Sequence, residues 1–242
     1  MKNNLLVCIP TYNERENVPL LYHELKKLPV NFDILFCDDN SPDGTGKIAD
    51  QLAGVDSSVK IMHRPGKLGL GTAHLACFGY ARTHGYEKVL MMDADFTHDP
   101  AYIPQMIKVS ENADLVIGSR YARGGRMEGW GKFRLPLTYF WKGMIRYGLG
   151  LPQDATGAFR LYRVNVLTDD ILKKVVSKQF SFHIELLYFL KEQGARVVEV
   201  PIVAKNRVRG ASKLSGELMR EEASVFFRLF KDRIRRAVGC KR

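Results

Sequence analysis

The stretch Val89-Leu90-Met91-Met92-Asp93-Ala94-Asp95 joins an apolar run to two carboxylates placed one residue apart. Four consecutive apolar residues are typical of a buried parallel strand. Because ligands of open α/β sheets bind beyond the carboxyl ends of the strands, we expect both aspartates at a ligand site. Carboxylate oxygens suit a hard divalent cation such as Mg²⁺ or Mn²⁺. Taken alone the tripeptide is a weak signal, since such aspartates also cap turns.

Outward from this stretch, short apolar segments alternate with helical patterns. The predicted strands are residues 5–9, 32–37, 59–62, 88–92 and 115–118, and the predicted helices are residues 18–27, 46–53, 71–84 and 102–110. This order predicts an α/β fold with a Rossmann-like, mostly parallel sheet flanked by helices. The C-terminal half contains amphipathic helical segments at 133–147 and 217–238 and strand-like segments at 158–163 and 196–203.

Length and composition restrict the class of protein. The 242 residues fit a catalytic domain, placed at residues 1–214, and a C-terminal amphipathic helix with a basic tail, placed at 215–242. A hydrophobic content of 45% excludes a disordered chain. The apolar stretch 180–190 is far shorter than the roughly 20 residues of a membrane-spanning helix, and no signal-peptide core precedes Pro10. We therefore expect a cytoplasmic protein with reduced cysteines.

The charge is divided unevenly along the chain. Residues 1–117 contain 11 Lys and Arg against 15 Asp and Glu, whereas residues 118–242 contain 26 against 11. This asymmetry indicates an anionic partner for the C-terminal half, either nucleic acid, a membrane surface or a phosphorylated ligand. Aromatic residues lie among cations at 132–146, and the last helix ends in a basic tail. Both patterns are typical of helices that lie peripherally on an anionic membrane.

Two further turns follow predicted strands. The turn at 38–45 opens a helix, and its Asp39 can accept hydrogen bonds from a base or a ribose. The glycine-rich segment 66–71 also precedes a helix and can bring the backbone close to a phosphate, although such loops are common. Asp99 before Pro100 is interpreted differently, as the N-cap of the next helix.

The C-terminal half supplies the cations. Arg120 follows the fifth predicted strand, and Thr138 lies one helical turn after Arg134. Three more cations surround residues 210–212, namely Arg207, Arg209 and Lys213. Because arginine binds phosphate oxygens in a bidentate manner, such converging cations predict a site for a diphosphate or a phosphate monoester.

Taken in order, these motifs resemble the family 2 glycosyltransferases with the GT-A fold, most closely their dolichol-phosphate mannosyltransferase (polyprenol monophosphomannose synthase) branch. The matching segments cover roughly residues 5–215 and are residues 10–14, 38–45, 67–71, 93–95, 118–121, 154–160 and 207–213. No single segment decides the matter, but the ordered set is specific.

The resemblance implies an activity. It is the inverting transfer of a sugar, mannose from GDP-mannose, to a dolichyl or polyprenyl phosphate at the cytoplasmic face of a membrane. Mg²⁺ or Mn²⁺ would be the cofactor, and a membrane-anchoring subunit is a further conceivable partner. The same chemistry with a UDP-sugar donor, glucose or N-acetylglucosamine, stays open. So do a sugar nucleotidyltransferase and a non-catalytic protein that binds anionic surfaces. No nucleic acid partner is expected.

The resemblance also implies roles for individual residues. The donor would be held by Pro10, Tyr12, Glu14, Asp39, Asp93, Ala94, Asp95, Arg207 and Lys213, with Asp93 and Asp95 as metal ligands. The acceptor phosphate would be held by Arg120, Arg134 and Thr138. The expected catalytic residues are Asp95, Arg120 and Arg134.

Three positions depart from the family pattern. Thr97 stands where the family often has a glutamine that serves as a further metal ligand. Thr138 stands where serine is usual, which keeps the hydroxyl group. Lys142-Gly143 occupies the place of a small residue and an asparagine, so contacts to the lipid are expected to differ.

Overall fold

The structure is a computed structural model that describes residues 3–129, 134–205 and 216–239. Its strands are β1 (Leu5–Thr11), β2 (Asp33–Asp38), β3 (Val59–His63), β4 (Lys88–Met91), β5 (Leu115–Ser119), β6 (Arg126–Glu128), β7 (Arg160–Arg163), β8 (Val197–Pro201) and β9 (Val203–Lys205). Its α-helices are α1 (Asn17–Lys26), α2 (Thr45–Val55), α3 (Leu70–Thr83), α4 (Ile103–Val109), α5 (Arg134–Met144), α6 (Asp169–Leu172), α7 (Phe182–Glu192) and α8 (Gly216–Gly239).

A seven-stranded sheet forms the centre of the molecule, with strand order β3-β2-β1-β4-β7-β5-β8. β7 is antiparallel to both of its neighbours, β4 and β5, while the remaining pairs of this sheet are parallel. β6 and β9 form a separate two-stranded sheet. The expected α/β architecture with a mostly parallel sheet is thereby confirmed.

Apolar layers cover both faces of the sheet. Alternate residues of β1 enter the two layers, because successive side chains of a strand point to opposite faces: Leu6 and Cys8 join one core, and Val7 and Ile9 join the other. The first layer is completed by α3, α7 and α8, and the second by α1, α2 and α4. Burial on both sides is why these strands are continuous apolar runs in the sequence.

The structure corrects several predicted boundaries. The strand predicted at 196–203 is two strands: Ile202 N still donates to Ser119 O of β5, whereas Ile202 O accepts from Arg126 N and the following residues pair with β6. The helix predicted at 133–147 becomes α5 followed by a π-helical turn at Ile145–Leu149. The helix predicted at 102–110 begins as a 3-10 turn that Asp99 caps by accepting from Ala101 N at 3.0 Å, as expected.

The lengths of the helices and the state of the cysteines bear on membrane crossing and on redox chemistry. Among the described residues, no helix is both long and apolar enough to cross a bilayer. Cys8, Cys37 and Cys77 are buried free thiols, which agrees with the interpretation of the cysteines as small apolar residues. Cys240 and the predicted domain boundary at 214 lie outside the described residues.

Two histidines face each other in the first apolar layer. The ring centroids of His74 on α3 and His183 on α7 lie 4.8 Å apart, and both side chains are fully buried. Burial and the charge of Arg160 lower the pKa of His74 to about 3. Burial also lowers the pKa of His183 well below its ordinary value. Both rings are therefore neutral in the folded protein at physiological pH.

These histidines predict a loss of stability in acid. Because the folded pKa of His74 lies below the unfolded value of about 6.5, its contribution is complete above that pH and is lost as the pH falls toward 3. At pH 5 the loss for this one group amounts to about 2 kcal/mol. Urea unfolding at pH 7.5 and 5.0 measures the change in the free energy of unfolding between these two pH values. For His74→Phe this change should be smaller than for the wild type by about 2 kcal/mol.

His23→Phe is the matched control, because His23 is exposed on α1. Its free energy of unfolding should change between pH 7.5 and 5.0 by as much as that of the wild type. A His74→Phe protein that loses as much stability between pH 7.5 and 5.0 as the wild type would contradict the assignment. Overpacking by the new ring would lower stability at both pH values and leave the comparison intact.

Candidate functional site

A cleft lies beyond the carboxyl ends of β1, β2 and β4, where an open α/β sheet is expected to bind ligands. Its lining consists of Pro10, Thr11, Tyr12, Glu14, Asp39, Lys67, Gly69, Leu70, Ala73, Asp93, Ala94, Asp95, Gln179 and Phe180. It brings together every predicted donor residue that falls in the described part of the chain. Arg207 and Lys213 lie outside that part.

Two interlocked turns build the side of the cleft that carries the predicted nucleoside-binding residues, here named the nucleoside side. After β1, Asn13 adopts a left-handed conformation with φ 59°, which asparagine tolerates. Its N–H donates to Ser41 Oγ at 3.1 Å, and Glu14 N donates to Thr45 Oγ1 at 2.9 Å. Asp38 accepts from Ser41 N at 3.0 Å. The turn after β2 therefore holds the turn after β1. Asp38 stabilises the turn after β2, and Asp39 lines the cleft.

Asp39 forms an ion pair with Arg64, at 2.7 Å between Oδ1 and Nη1, and both side chains are buried. Burial raises the pKa of Asp39, and the Arg64 guanidinium opposes that shift. Arg64 also donates to Thr72 Oγ1 at 2.5 Å, which ties the pair to α3. Sequence reasoning missed Arg64, because a lone arginine after β3 belongs to no recognisable motif.

Lys67 supplies a second cation at this end of the cleft. Its ammonium lies 4.6 Å from the centroid of the Tyr12 ring. A cation over an aromatic face is attracted by the quadrupole of the ring, so Lys67 covers one face of the tyrosine. The cleft therefore combines carboxylates with cations on the nucleoside side.

The two aspartates after β4 sit in a strained turn. Phe96, which follows Asp95, has φ 59°, a conformation that is uncommon for a bulky residue and costs of order 1–3 kcal/mol. Asp95 Oδ1 accepts from Thr97 N at 3.1 Å and from Thr97 Oγ1 at 2.7 Å. Thr97 therefore orients Asp95 by two hydrogen bonds. Asp93 N donates to His98 Nδ1 at 3.2 Å.

The donor set at this turn fits a divalent cation. Asp93 and Asp95 both line the cleft, whereas within the described ranges no group of three or more His, Cys, Asp and Glu side chains could hold a metal by itself. Mg²⁺ characteristically keeps several waters and takes one or two carboxylates together with ligand phosphates. Asp93 and Asp95, two carboxylates that line one cleft, match that chemistry.

The glycine-rich segment has a packing role. A methyl group at Gly71 would lie 2.7 Å from Ser177 O and 3.0 Å from Phe182 Cβ. Gly71 N donates to Lys178 O at 2.8 Å. Gly69 and Gly71 thus admit the backbone of residues 177–178, and the expected contact with a phosphate stays a prediction. The same approach carries Gln179 and Phe180 into the cleft wall, two residues that sequence reasoning missed.

The C-terminal helix is connected to that wall. Glu185 on α7 is fully buried and accepts from Val176 N at 3.1 Å and Ser177 N at 2.7 Å. Arg228 of α8 forms an ion pair with Glu185. Gln179 N also donates to Glu221 Oε1 of α8 at 3.3 Å. Helix α8 therefore supports the segment that closes one side of the cleft.

The predicted acceptor residues lie beyond β5 and on α5. Arg120 Nε lies 3.1 Å from Asp154 Oδ2, Nη2 lies 3.3 Å from Oδ1, and Nη2 donates to Thr156 Oγ1 at 2.5 Å. Burial is the largest single influence and lowers the pKa of the Arg120 guanidinium, but Asp154 and Tyr121 together raise that pKa above its ordinary value. Arg134 begins α5 and Thr138 is half-buried one turn later. Asp154 is thus the residue that orients Arg120.

Comparison with known proteins identifies the class. Glycosyl transferase family 2 matches residues 6–170 of this chain. Polyprenol monophosphomannose synthase from Mycolicibacterium smegmatis is 43% identical over 219 residues, which cover 89% of this chain and 83% of that protein. Undecaprenyl-phosphate mannosyltransferase from Micrococcus luteus is 40% identical over 220 residues, with 90% of each chain covered.

Solved structures share the architecture. Glucosyl-3-phosphoglycerate synthase from Mycobacterium tuberculosis, in complex with Mn²⁺, UDP-glucose and phosphoglyceric acid, superposes with a TM-score of 0.67 at 16% identity and covers 94% of this chain and 79% of that chain. TarS 1-349 from S. aureus, in complex with UDP-GlcNAc, gives a TM-score of 0.62 at 17% identity, with 93% and 65% covered. The fold is thus GT-A, and the chain is a glycosyltransferase that belongs to glycosyl transferase family 2.

The buried pair of Asp39 and Arg64 predicts a double-mutant result. Arg64→Met leaves an unpaired buried carboxylate and should lower the free energy of unfolding by about 3–5 kcal/mol. Asp39→Asn in the same protein should recover most of that loss, because the uncompensated charge is gone. Urea unfolding at pH 7.5 measures both effects.

Arg126→Met is the control, because Arg126 forms an ion pair with Glu128 at the surface. Its unfolding free energy should change by less than about 1 kcal/mol. The account of the Asp39 pair would be wrong if Arg64→Met were as stable as the wild type, or if Asp39→Asn worsened the loss.

Proposed function

We propose that this chain transfers mannose from GDP-mannose to a dolichyl or polyprenyl phosphate at the cytoplasmic face of a membrane, with inversion at the anomeric carbon. The observation that carries the proposal is the single cleft in which the nucleoside-side residues and Asp93 and Asp95 converge. Two relatives with 43% and 40% identity bear names that describe mannose transfer to polyprenyl carriers, and this similarity supports the choice of sugar and acceptor.

On the donor side, Tyr12, Glu14 and Asp39 would hold the nucleoside, and Pro10 and Ala94 would shape the floor of the cleft. Asp93 and Asp95 would hold Mg²⁺ or Mn²⁺, which when bound neutralises charge on the donor diphosphate. Solved structures of glucosyl-3-phosphoglycerate synthase, which has the same fold, contain Mn²⁺ with UDP-glucose or Mg²⁺ with UDP. Arg207 and Lys213 would add positive charge to the departing diphosphate.

On the acceptor side, the reaction needs positioning more than proton transfer. A phosphate monoester is already anionic at neutral pH, so no strong general base is required. Arg120, oriented by Asp154, would bind the acceptor phosphate together with Arg134 and Thr138. These cations would offset the repulsion between the acceptor phosphate and the donor diphosphate, and the fixed geometry would lower the entropic barrier.

Membrane access is proposed for α5, the π-helical turn and α8. Several large apolar side chains there are exposed, among them Leu137, Phe140, Tyr147 and Phe227. Phe140 and Tyr147 also line an apolar groove against Phe226 and Phe230 of α8. Apolar faces flanked by cations bind anionic lipid interfaces, and an open apolar groove suits a prenyl chain. Residues 215–242 would thus serve the membrane together with α5 and the π-helical turn, and the rest of residues 1–214 would serve the catalysis.

Asp95→Asn should abolish transfer. Removing one of two metal-binding carboxylates should reduce turnover by about a hundredfold or more. The assay measures radiolabelled mannose moved from GDP-mannose to polyprenyl phosphate in the presence of Mn²⁺. Asp99→Asn is the matched control, since Asp99 caps the next helix and asparagine caps equally well. Near-normal activity of Asp95→Asn would refute the metal assignment.

Liposome flotation tests the membrane proposal. The wild type should float with anionic vesicles, and Phe140→Glu with Tyr147→Glu should remain in the soluble fraction, because a carboxylate is costly in the apolar part of the interface. Val55→Glu is the control, since Val55 is equally exposed but ends α2. A wild-type protein that stays soluble would contradict direct binding and would require a membrane-anchoring subunit.

A further inference from the structure

Lys142 lies on α5 next to the proposed acceptor site. Its ammonium sits 3.9 Å from the centroid of the Tyr121 ring, and the guanidinium carbon of Arg120 sits 5.0 Å from the same centroid. One aromatic ring therefore gathers two cations. Tyr121 is fixed in turn by an edge contact to Tyr139 of α5, with ring centroids 5.8 Å apart.

Among the residues that the structure describes, none is a dedicated counterion of Lys142. In the described part of the chain its ammonium forms neither a salt bridge nor a hydrogen bond with another residue. The two nearby carboxylates have other tasks: Asp154 pairs with Arg120, and Glu199 accepts from Asp154 N at 2.8 Å. Burial lowers the pKa of Lys142; Glu199 and Asp154 oppose this shift, and Arg146 and Arg120 add to it. The local charge balance favours an incoming anion.

We propose that Lys142 is an acceptor-binding residue whose ammonium contacts the phosphate of the lipid acceptor together with Arg120. This inference rests on the proposed function and extends it to a position where the sequence departs from the family pattern. When the acceptor binds, the Lys142 ammonium would leave the face of the Tyr121 ring and contact a phosphate oxygen instead. The phosphate carries a full negative charge and therefore binds the ammonium more strongly than the ring does. The four-carbon stem of lysine is flexible enough to make that exchange.

The same residue could instead serve only as a cation at the membrane interface. The two roles differ in what they need: an acceptor-binding lysine acts on a short lipid phosphate in water, whereas an interfacial lysine acts only when a bilayer is present. A water-soluble, short-chain polyprenyl phosphate in buffer without detergent or vesicles therefore separates them.

The experiment compares wild type, Lys142→Met, Lys142→Arg and the control Lys108→Met, which lies exposed on α4. Steady-state transfer gives KM for the acceptor and for GDP-mannose. In Lys142→Met the acceptor KM should rise about tenfold, with donor KM and unfolding midpoint unchanged. Lys142→Arg should recover most of the loss, and Lys108→Met should match the wild type. An unchanged acceptor KM, or an equal rise in donor KM, would overturn the inference.

Isothermal titration calorimetry with the same short-chain polyprenyl phosphate distinguishes a failure of the Lys142 proposal from a failure of the proposed mannosyl transfer. If the wild type transfers no mannose yet binds the lipid phosphate about tenfold more tightly than Lys142→Met, the lysine site stands and the proposed reaction falls. If the wild type transfers mannose but Lys142→Met binds the acceptor equally well, the lysine assignment alone falls. Absence of any binding to the wild type overturns both.

Discussion

Arg160 is fully buried at the start of β7 and donates hydrogen bonds to the carbonyl oxygens of Asp154, Ala155, Gly157 and His183. A buried cation is costly unless its donors are satisfied, and these carbonyls satisfy it without a carboxylate. Because β7 is inserted between β4 and β5, this guanidinium fixes the turn at 154–157 relative to both strands. Asp154 in that turn orients Arg120, so the acceptor side of the site depends on Arg160. The same charge helps to keep His74 neutral.

Two cations of the C-terminal half, Arg120 and Lys142, lie on the proposed acceptor side of the site, where both approach Tyr121. Carboxylates follow β2 and β4 in the proposed donor cleft, where Lys67 is also present. A solvated basic surface would not require Arg120 and Lys142 to lie at the same Tyr121 ring. Helix α8 is connected to the proposed donor cleft, because its contacts with Glu185 and Gln179 hold one wall of that cleft. A helix proposed to lie on the membrane therefore also supports the proposed nucleotide site.

The first five strands and the residues of the donor cleft were predictable, because each strand is a short apolar run and the carboxyl ends of parallel strands meet at one edge. Arg64, Gln179 and Phe180 were not, since tertiary packing alone brings them to that edge from unrelated segments. The packing of Gly71 against the backbone at 177–178 could not be predicted, because no local pattern specifies that partner. Likewise the division of one apolar run at Ile202 into strands of two sheets requires the pairing with β6, which no local pattern specifies. The roles of the site residues remain predictions.

The most direct measurement is the identity of the lipid product formed when GDP-mannose, UDP-glucose and UDP-N-acetylglucosamine compete at equal concentration for undecaprenyl phosphate in the presence of Mn²⁺. Mass spectrometry names the sugar, and NMR of the purified lipid gives the configuration at the anomeric carbon. The account predicts a β-linked mannosyl phosphate as the product, because a single in-line displacement inverts the α-configured donor. A lipid that carries glucose or N-acetylglucosamine, an α-linked product, or no glycolipid at all would contradict it.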